Sequence, residues 1–266
     1  VRVTQPDGSR PVSQAPGGAN VKYDTLLFDL FGTVVHFATT VPTVAAGGER
    51  RRSTLGWLES TVAEELPGIA FPDFLAGVLG VTREIMAGRA PEYLEVSSPE
   101  RFRRTLVRLG VDATLAAELA PKLSAVHMRH LASQTVLPDG HRELLASLQQ
   151  RYRMGIVSNF DHGPTALAIL RDHGVADAFG TITVSDGFGR RKPHPSIFLH
   201  AMESLGAVPE RTLFVGDSLE DDVAGARAAG LPVVWIRGEE PGDPDPPVPC
   251  PDFVVHRLVD IEALLA

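Results

Sequence analysis

Apolar positions along this chain fall into two kinds of run. Short continuous ones, Thr25-Leu26-Leu27-Phe28, Met154 to Val157, Thr181 to Val184, Leu213 to Val215, Val233 to Ile236 and Phe253 to Val255, have the length of strands buried on both faces. Between them lie segments with helical spacing, about Gly140 to Gln150, Thr165 to His173, Ser196 to Leu205 and Asp221 to Ala229. This alternation predicts an α/β fold, a doubly wound parallel sheet with helices on both faces.

The stretch from His36 to Thr135 breaks the alternation. It carries amphipathic helical patterns, with Leu55, Leu58, Val62 and Leu66 on one face and Phe102, Leu106 and Leu109 on another, and no convincing strand. The expected organisation is a core over 21–35 and 136–266 with a helical domain, 36–135, inserted in it. Residues 1–20, rich in Pro, Gly, Ser and Gln, predict a disordered leader, because ordering them would recover little of the entropy lost. Glu239 to Pro251, with six prolines, reads as a stiff extended loop.

Composition narrows the partners. The chain has 266 residues and a net charge of -8, which disfavours a nucleic-acid binder and leaves small molecules as the expected ligands. No apolar run is long enough to span a bilayer, and the start of the chain has no signal-peptide core, so the reading is a cytoplasmic protein with no membrane partner. Cys250 is alone, which removes disulfide frameworks and cysteine zinc clusters. His127 and His130 lack the intervening acid of a zinc-protease helix and read as a solvated pair. Phosphate-binding Gly-rich loops and nucleophile elbows are also missing.

Polar residues gather at the strand tips, where ligands bind in open parallel sheets. Asp29 follows the first strand, Ser158 and Asn159 follow the second, and Asp217 and Ser218 follow Leu213 to Gly216. Lys192, one of only three lysines with Lys22 and Lys122, stands between two of these tips in Arg191-Lys192-Pro193-His194-Pro195.

Four segments in this order, Asp29-Leu30-Phe31-Gly32-Thr33, Ser158-Asn159, Lys192-Pro193-His194-Pro195 and Gly216-Asp217-Ser218-Leu219-Glu220-Asp221-Asp222, resemble the haloacid dehalogenase-like superfamily. The resemblance implies a Rossmann-like core whose inserted helical domain is a cap. It implies Asp29 as a nucleophile forming a covalent ester and Mg²⁺ held by Asp29, the backbone carbonyl of Phe31, Asp217 and Asp222. Of the neighbours Asp221 and Asp222, about 100° apart on a helix, only Asp222 is expected to face the site. Ser158 and Asn159 would donate to the oxygens of the transferred group, and Lys192 would place a point charge between Asp29 and an anionic small-molecule substrate.

One position departs from the phosphatases of that superfamily. The second residue after the nucleophile is usually an aspartate serving as general acid and base, and here it is Phe31, so help of about 10²- to 10⁴-fold must be absent or come from elsewhere. Three functions remain open. A Mg²⁺-dependent phosphohydrolase would act on substrates with good leaving groups, or borrow a proton from the cap or His36. A metal-free 2-haloacid dehalogenase fits Phe31 but not Asp217, and would need a cap arginine for halide from among Arg50 to Arg52, Arg83, Arg89 and Arg101 to Arg108. A non-catalytic binder of phosphorylated ligands or protein partners is the third. Retained Asp217 favours the phosphohydrolase.

Overall fold

The computed structural model describes residues 23–38, 41–46, 49–238 and 249–265. The leader over 1–20 and most of the proline-rich stretch 239–251 lie outside the described residues. Six strands form one sheet: β1 (Thr25–Phe28), β2 (Arg153–Ser158), β3 (Thr181–Val184), β4 (Thr212–Gly216), β5 (Val233–Ile236) and β6 (Phe253–Val255). Their order is β6-β5-β4-β1-β2-β3, and every pairing is parallel.

Alternation along buried strands explains their unbroken apolar text. Leu26 and Phe28 join Ile156, Leu213 and Val215 in the core on one face, while Leu27 joins Val157 and Phe214 on the other. Helices His141–Leu148, Gly163–Asp172 and Pro195–Leu205 cover these faces close to their predicted spans. The chain runs from β1 outward through β2 and β3, then crosses to β4 on the other side of β1. Connections therefore diverge beside β1, opening a crevice beyond the carboxyl ends. Phe28 is level with Ile156 and Val215, so Asp29 emerges at the same height as the tips of both neighbours.

The insertion has a hydrophobic cluster of its own. Its helices Glu59–Glu65, Phe71–Ala87, Ser98–Arg108 and Ala113–Ser133 enclose Leu55, Leu58, Val62, Leu66, Phe74, Phe102, Leu106 and Leu123. The first four of these were expected on one helix, but they pass through a 3-10 turn, Thr54–Leu58, before the helix begins. Two expectations are corrected. The insertion does contain strands, since Thr43–Ala46 pairs with Glu49–Arg52, and His36–Phe37 pairs with Thr135–Val136 where the chain enters and leaves. Strands of two to four residues are too short to show an alternation; the Gly47-Gly48 pair was the available hairpin signal. His127 is not solvated: it is buried, with Nε2 3.0 Å from Thr54 Oγ1, while His130 stacks on Trp57.

Candidate active site

The loop after β1 is shaped by one glycine. Asp29 donates its backbone N–H to Val215 O (2.9 Å), and the chain then doubles back so that Val34 and Val35 both donate to Leu30 O. Gly32 makes the turn with φ +85°, and a Cβ there would lie 2.2 Å from Asp217 Oδ2. A glycine is thus needed both for the backbone conformation and for Asp217 to approach the loop.

Lys192 stands where the strand tips converge. Its ammonium, 2% exposed, lies 2.6 Å from Asp29 Oδ1 and 2.6 Å from Asp222 Oδ1. Asn159 fixes the backbone that carries it: Asn159 Oδ1 accepts from Lys192 N (2.8 Å), and Nδ2 donates to Lys192 O (3.0 Å) and Asp221 Oδ2 (3.1 Å). The expectation that Asn159 donates to substrate is corrected on this ground, because both amide protons are engaged inside the protein. Its neighbour Ser158 behaves oppositely. The Ser158 hydroxyl is fully buried at the tip of β2 and has no partner.

Asp222 is 1% exposed, and its Oδ2 accepts the N–H groups of Asp217 and Ser218, each at 3.0 Å. Gly216 makes room for this, since a Cβ there would sit 2.4 Å from Asp222 Cγ. With its other oxygen on Lys192, Asp222 is chiefly a brace for the Asp217 loop and the lysine. Asp221 also turns into the network through Asn159, contrary to the expectation that one of the two acids would face away. The helix opens with a π turn over Leu219–Val223, and this wider turn changes the angle between successive side chains. Trp235 Nε1 donates to Asp217 O (2.9 Å), a contact that the sequence offered no means of finding.

Negative charge outweighs positive here. One oxygen from each of Asp29, Asp217 and Asp222 lies within 4.8 Å of the others, with Lys192 as the cation among them. Burial pushes the Asp29 carboxyl up to about 8; Lys192 pulls the other way, and the charges of Asp222 and Asp217 add to the rise. Asp217 is raised as well, by burial and by Asp222. Lys192 is itself held above the ordinary lysine range, where Asp222 and Asp29 overcome its own burial. An all-oxygen, net-negative donor set of this kind fits a hard divalent cation, and Asp29 and Asp217 are the carboxylates with capacity left for it.

Phe31 is locked among aromatic rings. It stacks on Phe37 (centroids 4.9 Å apart, planes at 10°) and packs against Phe160 at 4.8 Å. The insertion is strapped to the core beside this cluster: Arg101 pairs with Asp161 (3.0 Å), Arg191 with Glu95 (2.5 Å), and Ser98 N donates to Asp161 O (2.7 Å). Several arginines suggested for an anion are paired within the insertion itself, Arg103 and Arg104 on Glu100 and Arg108 on Glu84. Arg89 is half-buried with an unpartnered Nε, and the side chains of Arg50 and Arg51 lie outside the described ones. No described helix is long and apolar enough to cross a membrane.

Known proteins resemble this chain in sequence and in fold. A phosphoglycolate phosphatase of Rhodospirillum rubrum is 31% identical over 213 residues, 79% of this chain and 77% of that protein. A phosphoglycolate phosphatase of Nitrosococcus oceani is 33% identical over 143 residues, 53% of this chain and 63% of the relative's own length. A phosphoserine phosphatase of Thermus thermophilus is 41% identical over 164 residues, 60% of this chain and 64% of that protein. Among solved structures, a 2-haloacid dehalogenase of Pseudomonas syringae superposes with a TM-score of 0.67 at 20% identity, over 91% of this chain and 98% of that one. The magnesium-bound HAD-hydrolase YfnB of Bacillus subtilis gives 0.59 at 25% identity, over 92% and 99%. The profile of the haloacid dehalogenase-like hydrolases matches residues 23–230. With the parallel sheet, the strand-tip carboxylates and the buried lysine all in place, the chain belongs to the haloacid dehalogenase-like hydrolase family.

Proposed function

We propose that this hydrolase is a metal-dependent phosphohydrolase acting on a small anionic phosphate ester, with Asp29 as nucleophile and residues 36–135 as the cap over its site. The observation that carries this reading is the gathering of three carboxylates, Asp29, Asp217 and Asp222, about Lys192. A metal-free displacement of halide would leave the Asp217 charge facing both nucleophile and substrate. Names of relatives, phosphoglycolate and phosphoserine phosphatases, point the same way, toward hydrolysis of a phosphate on a small molecule.

Asp29, the Phe31 carbonyl and Asp217 would hold Mg²⁺. When bound, it neutralises the repulsion between an anionic nucleophile and an anionic phosphoryl group. Lys192 holds Asp29 in its attacking position and opposes the burial that raises its proton affinity. The buried, unpartnered Ser158 hydroxyl has a free proton for a phosphoryl oxygen, an interaction that gains strength as charge develops in the transition state. Asn159 and Asp222 do not touch the substrate; they set the position of Lys192. Phe31 favours the dehalogenase alternative, which the same assay addresses.

Purified protein is offered an aryl phosphate and 2-chloropropionate, each with Mg²⁺ and with EDTA. Phosphate release abolished by EDTA and by Asp29→Asn is the expected result. Chloride release indifferent to EDTA would replace the proposal with dehalogenation, and the absence of both would leave a binding domain.

A further inference from the structure

The position that would carry the proton donor is not merely occupied by phenylalanine; it is built as an apolar wall. Phe31 is held between Phe37 and Phe160, with ring centroids 4.9 and 4.8 Å away. The first two residues beyond Asp29 and beyond Ser158 thus lead to rings that meet, and Phe37 is 42% exposed at the open side. Among the described residues, four carboxyl groups on this side of the site are each held by a partner. Asp161 is on Arg101, Glu95 on Arg191 and Ser185, Asp221 on Asn159, and Asp186 on the Gly163 N–H. His36 points away from the Phe31 ring, into a cavity that it lines with Gly32, Pro138, His141 and Asp217. Successive strand residues face opposite ways, and because Phe37 stacks on Phe31, His36 turns toward the ring of His141, 6.0 Å away.

We infer, on the basis of the phosphohydrolase reading, that the site selects phosphates whose bridging oxygen belongs to an acidic hydroxyl or carboxyl group on an apolar, aromatic body, that is, aryl or aromatic acyl phosphates. An Asp29 oxygen forms a bond to phosphorus while the bond from phosphorus to the bridging oxygen breaks, and the electron pair leaves on that oxygen. A phenolate or carboxylate is stable as it departs and takes its proton later from water, so no acid is needed. An alkoxide is not, and general acid help of about 10²- to 10⁴-fold is missing for it. In the second half, a water oxygen bonds to phosphorus, the bond to Asp29 breaks, the carboxylate is regenerated, and the water's proton passes to solvent. The aromatic wall gives the apolar leaving group a matching surface through offset or edge contacts.

Two substrates test this with nearly the same shape: para-nitrophenyl phosphate, whose leaving group is acidic, and para-nitrobenzyl phosphate, whose leaving group is not. Benzoyl phosphate and acetyl phosphate test the acyl arm with and without the ring. The expected result is a kcat/KM for the phenyl ester about 10²- to 10⁴-fold above that for the benzyl ester, with benzoyl preferred to acetyl. Phe31→Leu keeps the ester discrimination while raising KM for aromatic substrates; Phe31→Asp collapses the discrimination by accelerating the benzyl ester. Should that variant fail to fold, a series of substituted phenyl phosphates on the unaltered protein reads the same dependence on leaving-group acidity. Equal turnover of both esters would overturn the inference and leave the phosphohydrolase standing. Phosphate from neither, with no acid-stable or trapped phosphoryl-Asp29, would overturn the phosphohydrolase reading itself.

Discussion

Replacing Lys192 with methionine keeps the length of the side chain and removes the charge that two buried carboxylates share. Its ammonium is 2.6 Å from an oxygen of Asp29 and 2.6 Å from one of Asp222. At an effective dielectric near 20, each contact has a Coulomb energy of about 6 kcal/mol, before desolvation is subtracted. Much of that sum offsets the cost of burying the ions. Removing one partner of a buried pair is therefore expected to destabilise by about 3–5 kcal/mol, which lowers the melting temperature by roughly 10 °C in a chain of this size. Asp29, already pushed up to about 8 with the lysine present, rises further without it, so less of the nucleophile is ionised and turnover is lost too. The pH dependence has a definite sign. A carboxyl whose folded pKa lies above its unfolded value near 3.9 retains a proton in the native state that the unfolded chain releases, so stability is lost as pH rises through the folded pKa. Urea unfolding in EDTA should show Lys192→Met losing further stability between about pH 7 and 9. Adding Asp29→Asn should remove the Asp29 share of this slope, because an amide has no proton to release. A Lys192→Met protein with unaltered melting temperature and unaltered turnover would refute the assignment of this lysine as the counter-charge of the site.

Two further outcomes follow from the packing. Gly32→Ala places a Cβ 2.2 Å from Asp217 Oδ2 at a φ of +85°; the carboxylate has to move by about 1 Å, and a loss of roughly 10²-fold in turnover is expected, with only about 1–2 kcal/mol lost from stability. Normal turnover in that variant would detach Asp217 from the chemistry. His127 is pushed down to about 3 by burial, with the charges of Arg101 and His130 adding to it. The unfolded chain binds this proton below about pH 6.5 and the native state refuses it, so stability falls as pH drops through that window, by up to about 1.4 kcal/mol per unit. His127→Phe should flatten this part of the acid-side slope in urea titrations, and an unchanged slope would place the acid sensitivity elsewhere.

Legibility differed between the core and the site for physical reasons. Each core strand is apolar on both faces because helices cover both, so its position was readable from a handful of residues. Asp29, Ser158 and Asp217 were readable because a parallel sheet brings its strand tips together whatever lies between them in sequence, and Lys192 stood out as one of only three lysines, placed between two of those tips. The hairpin Thr43–Ala46 with Glu49–Arg52 escaped because four residues per strand are too few to show an alternation. His127 was misread because one buried histidine, bonded to Thr54 far away in the chain, has the same local text as a solvated one.

What the sequence alone determined is the set of groups and their order: a doubly wound sheet, a nucleophile candidate at its first tip, and a phenylalanine where a proton donor was expected. Which group touches which was decided by tertiary structure. Asn159 carries amide protons that any substrate oxygen would accept, yet the loop of Lys192 takes one and Asp221 the other. Asp222 is a carboxylate like Asp217, yet two backbone N–H groups and one ammonium claim it. Phe31 by itself says only that a proton is missing; its stacking between Phe37 and Phe160 turns the absence into a surface. Sequence specifies donors, acceptors and rings as local chemistry, whereas their partners come from segments that meet only when the chain folds.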